Sequence, residues 1–372
     1  MRAARIYEGG EIVVEDVPIP SIGSGAVLVE VRAAAVLPNM AVLLSKTSPF
    51  PLHRPPPPYT LGSGGATGII RSVGEGVKAF GLGDRVFVIE ILSCGECVLC
   101  RRGMRNYCDQ AGEMGLFAYS AGGLSLLEKY RDGAMAEYVR APTANLARLP
   151  KHVDLDKAVR LGYWSIAFRG VKEAGFAPGG TVAVIGATGS MGIGAVFQVL
   201  ALGATMVFAI ARNRTRLEEL CDLDPNRIIP LSIEDGAVVS RIREMTGGYG
   251  IDLLIDAQGF VEPTTTQDVL RAMARRGKVV LVGGVQGDIS LRYDWFEWNG
   301  TTILGSLNYL ISDVEELAQM MAVGLFPSER LKVRTFGLNG VSVALEEIKN
   351  APNAFWTYVV HPWASSGSEM GY

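Results

Sequence analysis

The chain has 372 residues, of which 48% are hydrophobic and 20% are charged, and its formal net charge is −3. These values indicate two globular domains with sizeable cores, and they exclude the basic surface expected of a protein that binds nucleic acid or an acidic membrane. The amino-terminal segment has no apolar signal core, so we expect a cytoplasmic protein.

The segment 1–157 contains short β-like runs that are separated by glycine and proline, a pattern typical of a β-rich domain. Strands are predicted at residues 12–17, 26–35, 66–73 and 85–89. A run of four prolines at residues 55–58 predicts a rigid loop, and the alternative is a ligand for a proline-binding module.

Four of the five cysteines cluster in this segment, as Cys94, Cys97, Cys100 and Cys108. Tight Cys-x-x-Cys turns bring sulfur atoms within tetrahedral reach of one zinc ion, and four thiolates leave no coordination position open for a substrate. Such clustering in an intracellular chain favours a metal over disulfides. The spacing therefore predicts a structural zinc lobe at residues 94–108, and an iron–sulfur cluster is the alternative.

From about residue 158, short apolar runs alternate with helical patterns. This alternation predicts an α/β domain, in which helices cover both faces of a doubly wound parallel sheet. The predicted strands are 181–185, 205–210, 227–230, 251–256, 279–282 and 301–304, and a last strand is predicted at 356–360. The predicted helices are 192–202, 265–274 and 312–323.

A glycine-rich loop connects the first of these strands to the first helix. Gly186 permits a tight turn, Gly189 removes a side chain where a pyrophosphate would approach, and Gly192 lets the helix pack closely on the sheet. The N-terminus of the helix then presents free N–H groups to the phosphates. This context favours a dinucleotide site over a turn without a ligand. The predicted binding residues of the loop are Gly186, Thr188, Gly189, Ser190, Met191 and Gly192.

The end of the second strand indicates which nicotinamide cofactor binds. An acidic side chain there would favour NAD by accepting hydrogen bonds from the ribose hydroxyls. Instead, Ala211 stands 19 residues beyond Gly192 and is followed by Arg212, Asn213 and Arg216. Arginine binds a phosphate through two hydrogen bonds, so the segment favours NADPH over NADH. A solvated basic face is the alternative interpretation.

Together these features resemble the medium-chain dehydrogenase/reductase superfamily, which includes zinc alcohol dehydrogenases and quinone reductases. Three further motifs carry the resemblance: Gly-Glu-Gly-Val at 74–77, Gly-Asp-Arg-Val at 83–86 and Val-Gly-Gly at 282–284. The resemblance implies an NAD(P)-dependent oxidoreductase with a GroES-like catalytic domain and an inserted Rossmann domain. We expect residues 1–157 and 304–372 to form the first domain and residues 158–303 to form the second.

The resemblance also implies where the nicotinamide and a second subunit bind. The nicotinamide is expected near Ile166, Ala257, Val282 and Thr301. Related chains pair edge to edge through the segment equivalent to 301–309, so we expect a homodimer.

Relatives with a catalytic zinc hold it with a cysteine, a histidine and a third thiolate or acid. The positions that resemble those ligand motifs are Leu37, the run Gly62-Ser63-Gly64 and the run Gly162-Tyr163-Trp164. Leucine and glycine side chains cannot ligate zinc, so we predict that no catalytic zinc binds. The Gly-x-x-Gly-x-x-Gly spacing of the cofactor loop is similar to that of zinc-free quinone and enoyl reductases.

Without a metal ion, hydride transfer needs another source of charge stabilisation, or a substrate that delocalises the charge. A quinone or an α,β-unsaturated carbonyl does so, and the developing enolate needs only one or two hydrogen-bond donors. We therefore predict an NADPH-dependent reductase of an activated C=C bond or a quinone, with a small apolar carbonyl-containing substrate. The alternatives are a zinc-independent carbonyl reductase or alcohol dehydrogenase, and a catalytically inactive dinucleotide-binding regulatory protein. The candidate donors are Asn39, Ser63 and Tyr163, and the candidate pocket walls are Leu37, Tyr59 and Trp164.

Overall fold

Two large sheets organise the computed structural model, which describes residues 1–45, 52–351 and 353–364. One is a mostly antiparallel sheet of seven strands, and the other is a parallel sheet of six strands. The parallel sheet has helices between its strands, as the alternating sequence pattern predicts. The predicted combination of a GroES-like domain and a Rossmann domain is therefore confirmed.

In the described part of the first 158 residues, most strands are short. They are β1 (Arg2–Ile6), β2 (Ile12–Asp16), β3 (Ala26–Val36), β4 (Tyr59–Thr60), β5 (Ala66–Val73), β6 (Arg85–Val88), β7 (Ile91–Leu92), β8 (Gly112–Glu113), β9 (Phe117–Ala118), β10 (Tyr138–Pro142) and β11 (Leu146–Arg148). The helices of this segment are α1 (Met40–Leu44), α2 (Val98–Arg101), α3 (Leu124–Lys129) and α4 (Leu155–Ala158).

The Rossmann domain begins with a long helix that leads into the parallel sheet. Its elements are α5 (Arg160–Glu173), β12 (Thr181–Ile185), α6 (Ser190–Ala201), β13 (Met206–Ala211), α7 (Arg214–Cys221), β14 (Ile228–Ser232), α8 (Val238–Met245), β15 (Ile251–Asp256), α9 (Thr264–Val269), β16 (Met273–Leu281), α10 (Tyr293–Asn299) and β17 (Thr302–Gly305). The strand order is β14–β13–β12–β15–β16–β17, and all pairs are parallel. The carboxyl ends of these strands therefore meet at one edge, where α/β domains bind their ligands.

The carboxyl-terminal elements return to the first sheet. They are α11 (Ile311–Ala322), β18 (Lys332–Phe336), α12 (Val341–Glu347) and β19 (Trp356–Val360). Strand β19 pairs antiparallel with β3 and parallel with β18, so both ends of the chain share one sheet. No helix in the described ranges is long and apolar enough to cross a membrane.

Two predicted boundaries differ from the structure. Strand β17 crosses the domain boundary expected at 303/304, so we propose a boundary after Gly305. The helix predicted at 265–274 ends at Val269, and β16 already begins at Met273, which pairs with Ile251. Both Met273 and Ala274 are buried. A short apolar run of this kind fits a helix or a strand equally well, because periodicity alone does not separate them.

Candidate functional site

The glycine loop between β12 and α6 has the geometry that a dinucleotide site requires. Gly186 has a φ of 76°, a conformation that side chains disfavour, and its carbonyl accepts a hydrogen bond from the Gly189 N–H at 2.9 Å. A Cβ atom on Gly192 would lie 2.1 Å from the Gly186 oxygen, so only glycine allows α6 to start this close to the strand. The loop thus fits a pyrophosphate at the start of α6.

A cleft of about 420 Å³ opens in front of this loop. It lies over the carboxyl ends of β12, β13 and β15. The predicted cofactor residues that line it are Gly186, Thr188, Gly189, Ala211, Arg212, Asn213, Arg216 and Ala257. Ser190 and Gly192 lie in the first turn of α6 with Met191, whose side chain is buried beneath the loop. Apart from Met191, the structure gathers this part of the predicted site around one cleft.

The residues expected near the nicotinamide do not all lie at the same edge of the sheet. Ala257 and Val282 directly follow β15 and β16, at the carboxyl edge. Thr301 directly precedes β17, which is parallel to them, and therefore lies at the opposite edge. We propose Ser306 in its place, because it follows β17 and its N–H donates to the Leu281 carbonyl at 3.0 Å. The Ser306 hydroxyl is buried and has no hydrogen-bond partner among the described residues.

The three positions that resemble zinc-ligand motifs do converge, and an apolar side chain fills the space between them. A Cβ atom on Gly64 would lie 2.0 Å from Leu37 Cδ1, so the leucine side chain covers this glycine. A Cβ atom on Gly162 would lie 2.9 Å from the Gly64 carbonyl oxygen. The Ser63 hydroxyl is buried and donates to the Gly65 carbonyl at 2.9 Å.

Tyr163 lies where the cores of the two domains meet, and Asn39 lies at the start of a helix. Tyr163 is partly exposed and packs against the cores of both domains. Burial raises the pKa of Tyr163 to about 12, so its hydroxyl stays protonated and can donate. Asn39 precedes α1, and its Oδ1 atom is buried without a partner among the described residues. Ile166 is partly exposed one turn beyond Tyr163 on α5.

The expected pocket wall at Trp164 is corrected, because this side chain is 0% exposed. Its ring packs edge-on against Phe197 and Phe326, and its indole N–H donates to the Ser190 carbonyl at 3.1 Å. Trp164 therefore fixes α5 against the start of α6. Tyr59 is also buried, in the core of the first domain.

The four clustered cysteines form a compact sulfur cage. All four Sγ atoms lie within 4.8 Å of one another, and those of Cys94 and Cys108 are 3.5 Å apart. A zinc ion with bonds of about 2.3 Å needs sulfur atoms about 3.8 Å apart. Backbone hydrogen bonds lower the pKa of Cys97 to about 6, whereas burial raises the pKa of Cys100 to about 12. A cation would allow all four thiols to ionise, so the cage fits a structural zinc.

Sequence comparisons assign the family. The model of the alcohol dehydrogenase GroES-like domain matches residues 23–151, and that of zinc-binding dehydrogenases matches residues 190–323. An alcohol dehydrogenase of a Moraxella species is 30% identical over 87% of this chain and 89% of its own length. The chain belongs to the medium-chain dehydrogenase/reductase superfamily. As a member of this superfamily, it is an NAD(P)-dependent oxidoreductase.

More distant relatives of the superfamily match nearly the whole chain. Sorbitol dehydrogenase of Bacillus subtilis is 25% identical over 97% of this chain and 97% of its own length. The solved structure of an alcohol dehydrogenase from Thermus sp. ATN1 superimposes with a TM-score of 0.81 at 27% identity, covering 97% of this chain and 100% of that one. The two-domain architecture is thus common to this chain and to solved dehydrogenases of the superfamily.

Beside the zinc-ligand positions of the superfamily lies an acid–tyrosine cluster, which we define as Glu90, Glu113, Tyr119 and Tyr309. Tyr309 Oη lies 3.1 Å from Glu90 Oε2, and the Tyr119 hydroxyl donates to Glu113 Oε1 at 2.5 Å. Burial raises the pKa of Glu90 to about 8 and that of Glu113 to about 7. No local motif marks these residues, so they were not predicted from the sequence.

Proposed function

We propose that the protein is an NADPH-dependent reductase that transfers hydride to an activated C=C bond or a quinone and does so without a catalytic zinc. The observation that carries this proposal is the packing of Leu37 over Gly64, beside Ser63 and Gly162. An apolar side chain occupies the space in which zinc-dependent relatives keep their metal ligands. A conjugated substrate suits such a site, because it delocalises the charge that hydride brings.

The bound nicotinamide would supply the hydride, and the chain supplies position and polarity. We assign the Tyr163 hydroxyl to the substrate oxygen, because it stays protonated. The Asn39 side-chain N–H is the second proposed donor, since the buried Asn39 Oδ1 can only accept. The Ser63 hydroxyl already donates to a backbone carbonyl, so its role is to position the loop around Gly64. Leu37 and Ile166 form apolar contacts with the substrate.

The preference for NADPH rests on the residues after β13. Arg212 is exposed at the rim of the cofactor cleft and forms no ion pair within the described residues. Its guanidinium is therefore available to a 2′-phosphate. The four thiols of the zinc lobe suit a reducing compartment, so we place the protein in the cytoplasm.

We also propose a homodimer that pairs through β17. This strand is at the edge of the described parallel sheet, so its outer backbone groups have no partner strand there. On the adjoining helix α10, Tyr293 is 84% exposed and Trp298 is 80% exposed. Large exposed aromatic side chains beside a free strand edge are typical of an interface between subunits. Sedimentation should show a dimer, and Trp298→Lys should shift it towards the monomer.

A zinc-independent carbonyl reductase or alcohol dehydrogenase is the second candidate. It is favoured by the alcohol and sorbitol dehydrogenases among the relatives. Both candidates use the same cleft and differ only in whether hydride reaches the conjugated carbon or the carbonyl carbon.

A panel of matched substrates separates these two candidate functions. Cyclohexenone, crotonaldehyde, a benzoquinone and cyclohexanone would be assayed with NADPH under identical conditions. We expect kcat/KM for cyclohexenone or the quinone to exceed that for cyclohexanone by roughly tenfold or more, a difference of about 1.4 kcal/mol in the barrier. The reverse order would support the second candidate. NADPH binding without turnover of any probe would contradict both and indicate a regulatory protein.

A further inference from the structure

The acid–tyrosine cluster lies beside Gly162, one of the positions that resemble zinc-ligand motifs, and the proposed function has given it no role. We infer that Tyr309 is a catalytic residue, whose hydroxyl donates the proton to the reduced substrate, and that Glu90 is the positioning residue that releases this proton. The inference rests on the proposed function, because it requires substrate in the cleft between Leu37 and the nicotinamide.

Tyr309 lies near the expected nicotinamide site because of the direction of β17. The chain leaves the carboxyl end of that strand at Gly305 and passes Ser306, which lies beside the end of β16. A Cβ atom on Gly170 of α5 would contact both Val282 and Ser306, at 3.1 and 3.5 Å. The segment 305–309 therefore continues the edge along which the nicotinamide is expected.

The hydroxyl of Tyr309 takes the place of a metal-ligand side chain. A Cβ atom on Gly162 would lie 3.1 Å from Tyr309 Oη. Zinc-dependent relatives carry their third ligand near this position, and a side chain there would crowd the hydroxyl. The absence of a side chain at Gly162 thus leaves room for a hydroxyl donor where the relatives have a metal ligand.

The segment that carries Tyr309 is held in place from the zinc lobe. The Asn106 amide donates to the Leu307 carbonyl at 2.8 Å, and the Tyr107 hydroxyl donates to the Gly305 carbonyl at 3.0 Å. Asn308 has a φ of 55°, and its side-chain amide donates to the Tyr119 hydroxyl at 3.3 Å. A non-glycine residue in this left-handed region costs free energy and persists where the surroundings fix it, often at functional sites. The Tyr309 hydroxyl is therefore preorganised.

The charges around Glu90 favour its neutral form. The ionisable groups that act on it are Glu113 and the hydroxyl of Tyr309, and neither carboxyl forms an ion pair in the described chain. Burial, reinforced by the Glu113 carboxylate, raises the pKa of Glu90 to about 8. Burial and the two carboxylates also hold the pKa of Tyr309 well above its usual value. At neutral pH both groups therefore keep their protons.

Protonation of Glu90 reverses the direction of its hydrogen bond with Tyr309. An ionised carboxylate only accepts, so the Tyr309 hydroxyl must donate to it and its proton is tied up. A neutral carboxyl donates its own proton to Tyr309 Oη, and the tyrosine proton is then free to point into the cleft. Tyr309 can therefore donate its proton into the cleft only when the pH is below the pKa of Glu90.

The step balances in protons and electrons. When hydride arrives at the substrate carbon, the electron pair of the reduced π bond moves to the substrate oxygen. The Tyr309 O–H bond breaks as the new O–H bond to the substrate forms. The Tyr309 oxygen then regains a proton from water, and Glu90 stays protonated throughout. An enone passes through its enol, which gives the ketone.

The test compares two variants of the full-length, zinc-loaded protein, with NADPH and the more active of cyclohexenone and cyclohexanone as the probe. Tyr309→Phe should lower kcat by about 10²–10⁴-fold, with the affinity for NADPH unchanged. Glu90→Gln keeps a permanent donor towards Tyr309 Oη. Its kcat should therefore not show the decline that the wild type shows as the pH rises through about 8.

The matched controls come from a second tyrosine–glutamate pair. The Tyr7 hydroxyl donates to Glu15 Oε1 at 2.8 Å on the β1–β2 hairpin, outside the cofactor cleft. Tyr7→Phe and Glu15→Gln therefore make the same chemical changes and should leave kcat and its pH profile unchanged. Thermal unfolding and NADPH titration show whether each variant is folded, and if Tyr309→Phe does not fold, the Glu90→Gln profile decides.

Two results would overturn the inference while leaving the proposed function intact. One is a Tyr309→Phe variant whose kcat stays within about twofold of the wild type, a barrier change below about 0.5 kcal/mol. The other is a Glu90→Gln variant that keeps the wild-type decline with pH. If the wild type binds NADPH but reduces none of the four substrates of the panel, the proposed function fails, and the inference fails with it.

Discussion

The three arginines that follow Ala211 have different partners, although the sequence presents them as one basic run. Arg214 forms an ion pair with Asp235, and Arg216 Nη2 donates to the Ala351 carbonyl at 2.9 Å. Only Arg212 is exposed at the cleft without an ion pair in the described chain. We therefore assign the proposed recognition of the 2′-phosphate to Arg212 alone and not to the whole segment.

Replacing Arg212 by alanine should therefore change the cofactor preference. A hydrogen bond to a charged group contributes about 1.5–3 kcal/mol, so we expect NADPH to bind roughly ten- to a hundredfold more weakly. The affinity for NADH should hardly change, because NADH lacks the 2′-phosphate. Calorimetric titration with both nucleotides measures this, and Arg214→Ala is the matched control because Asp235 already pairs with that guanidinium. Equal losses for the two nucleotides would remove the case for phosphate recognition.

Single residues were predictable where a local motif marks them. Leu37, Ser63 and Gly162 lie together as expected, because each stands in a recognisable ligand motif. The hydrogen bond between Tyr309 and Glu90 joins residues that are 219 positions apart, and no pattern in either local sequence predicts it. The contacts of Asn106 and Tyr107 with the segment after β17 are long-range in the same way.

At the scale of elements, the start of α6 depends on the absence of one side chain. We expect Gly192→Ala to destabilise the fold by about 1–3 kcal/mol, because its Cβ would collide with the Gly186 carbonyl and push α6 from the sheet. Nucleotide binding should be lost together with this stability. Gly23→Ala is the control, since a Cβ there meets no atom within 4 Å. Chemical denaturation and NADPH titration test both variants, and unchanged NADPH binding in Gly192→Ala would contradict the role of the loop.

The zinc lobe contacts the segment that carries Tyr309, so we expect metal binding to affect the proposed reaction. Cys100→Ser should lower the zinc content from about one ion per chain towards none and should lower the melting temperature, because zinc binding contributes directly to folding. It should also lower kcat, since the lobe holds the segment 305–309 through Asn106 and Tyr107. Cys221→Ser is the control, as this cysteine lies outside the cage. A Cys100→Ser protein with full zinc and full activity would contradict this connection.

The architecture of the whole molecule was more predictable than its details. Alternating strands and helices predicted the parallel sheet, and the family resemblance implied that both ends of the chain form one domain. The return of β19 to β3 has no local signal, because that pairing depends on contacts over nearly the whole chain. The prediction that Thr301 lies near the nicotinamide was wrong because of strand direction. Thr301 precedes a parallel strand, so it lies at the edge of the sheet opposite the carboxyl ends, and its local sequence does not show this.

The account as a whole depends on how charge is stabilised where hydride is transferred. We attribute that role to the hydroxyl and amide groups of the chain and to the substrate's conjugation, and we assign zinc to the sulfur cage alone. The zinc-to-chain ratio, measured on freshly purified protein whose cyclohexenone reductase activity has been determined in the same sample, tests this most directly. We predict about one zinc ion per chain, as a closed four-thiolate site requires. A ratio of two in active protein would contradict the account.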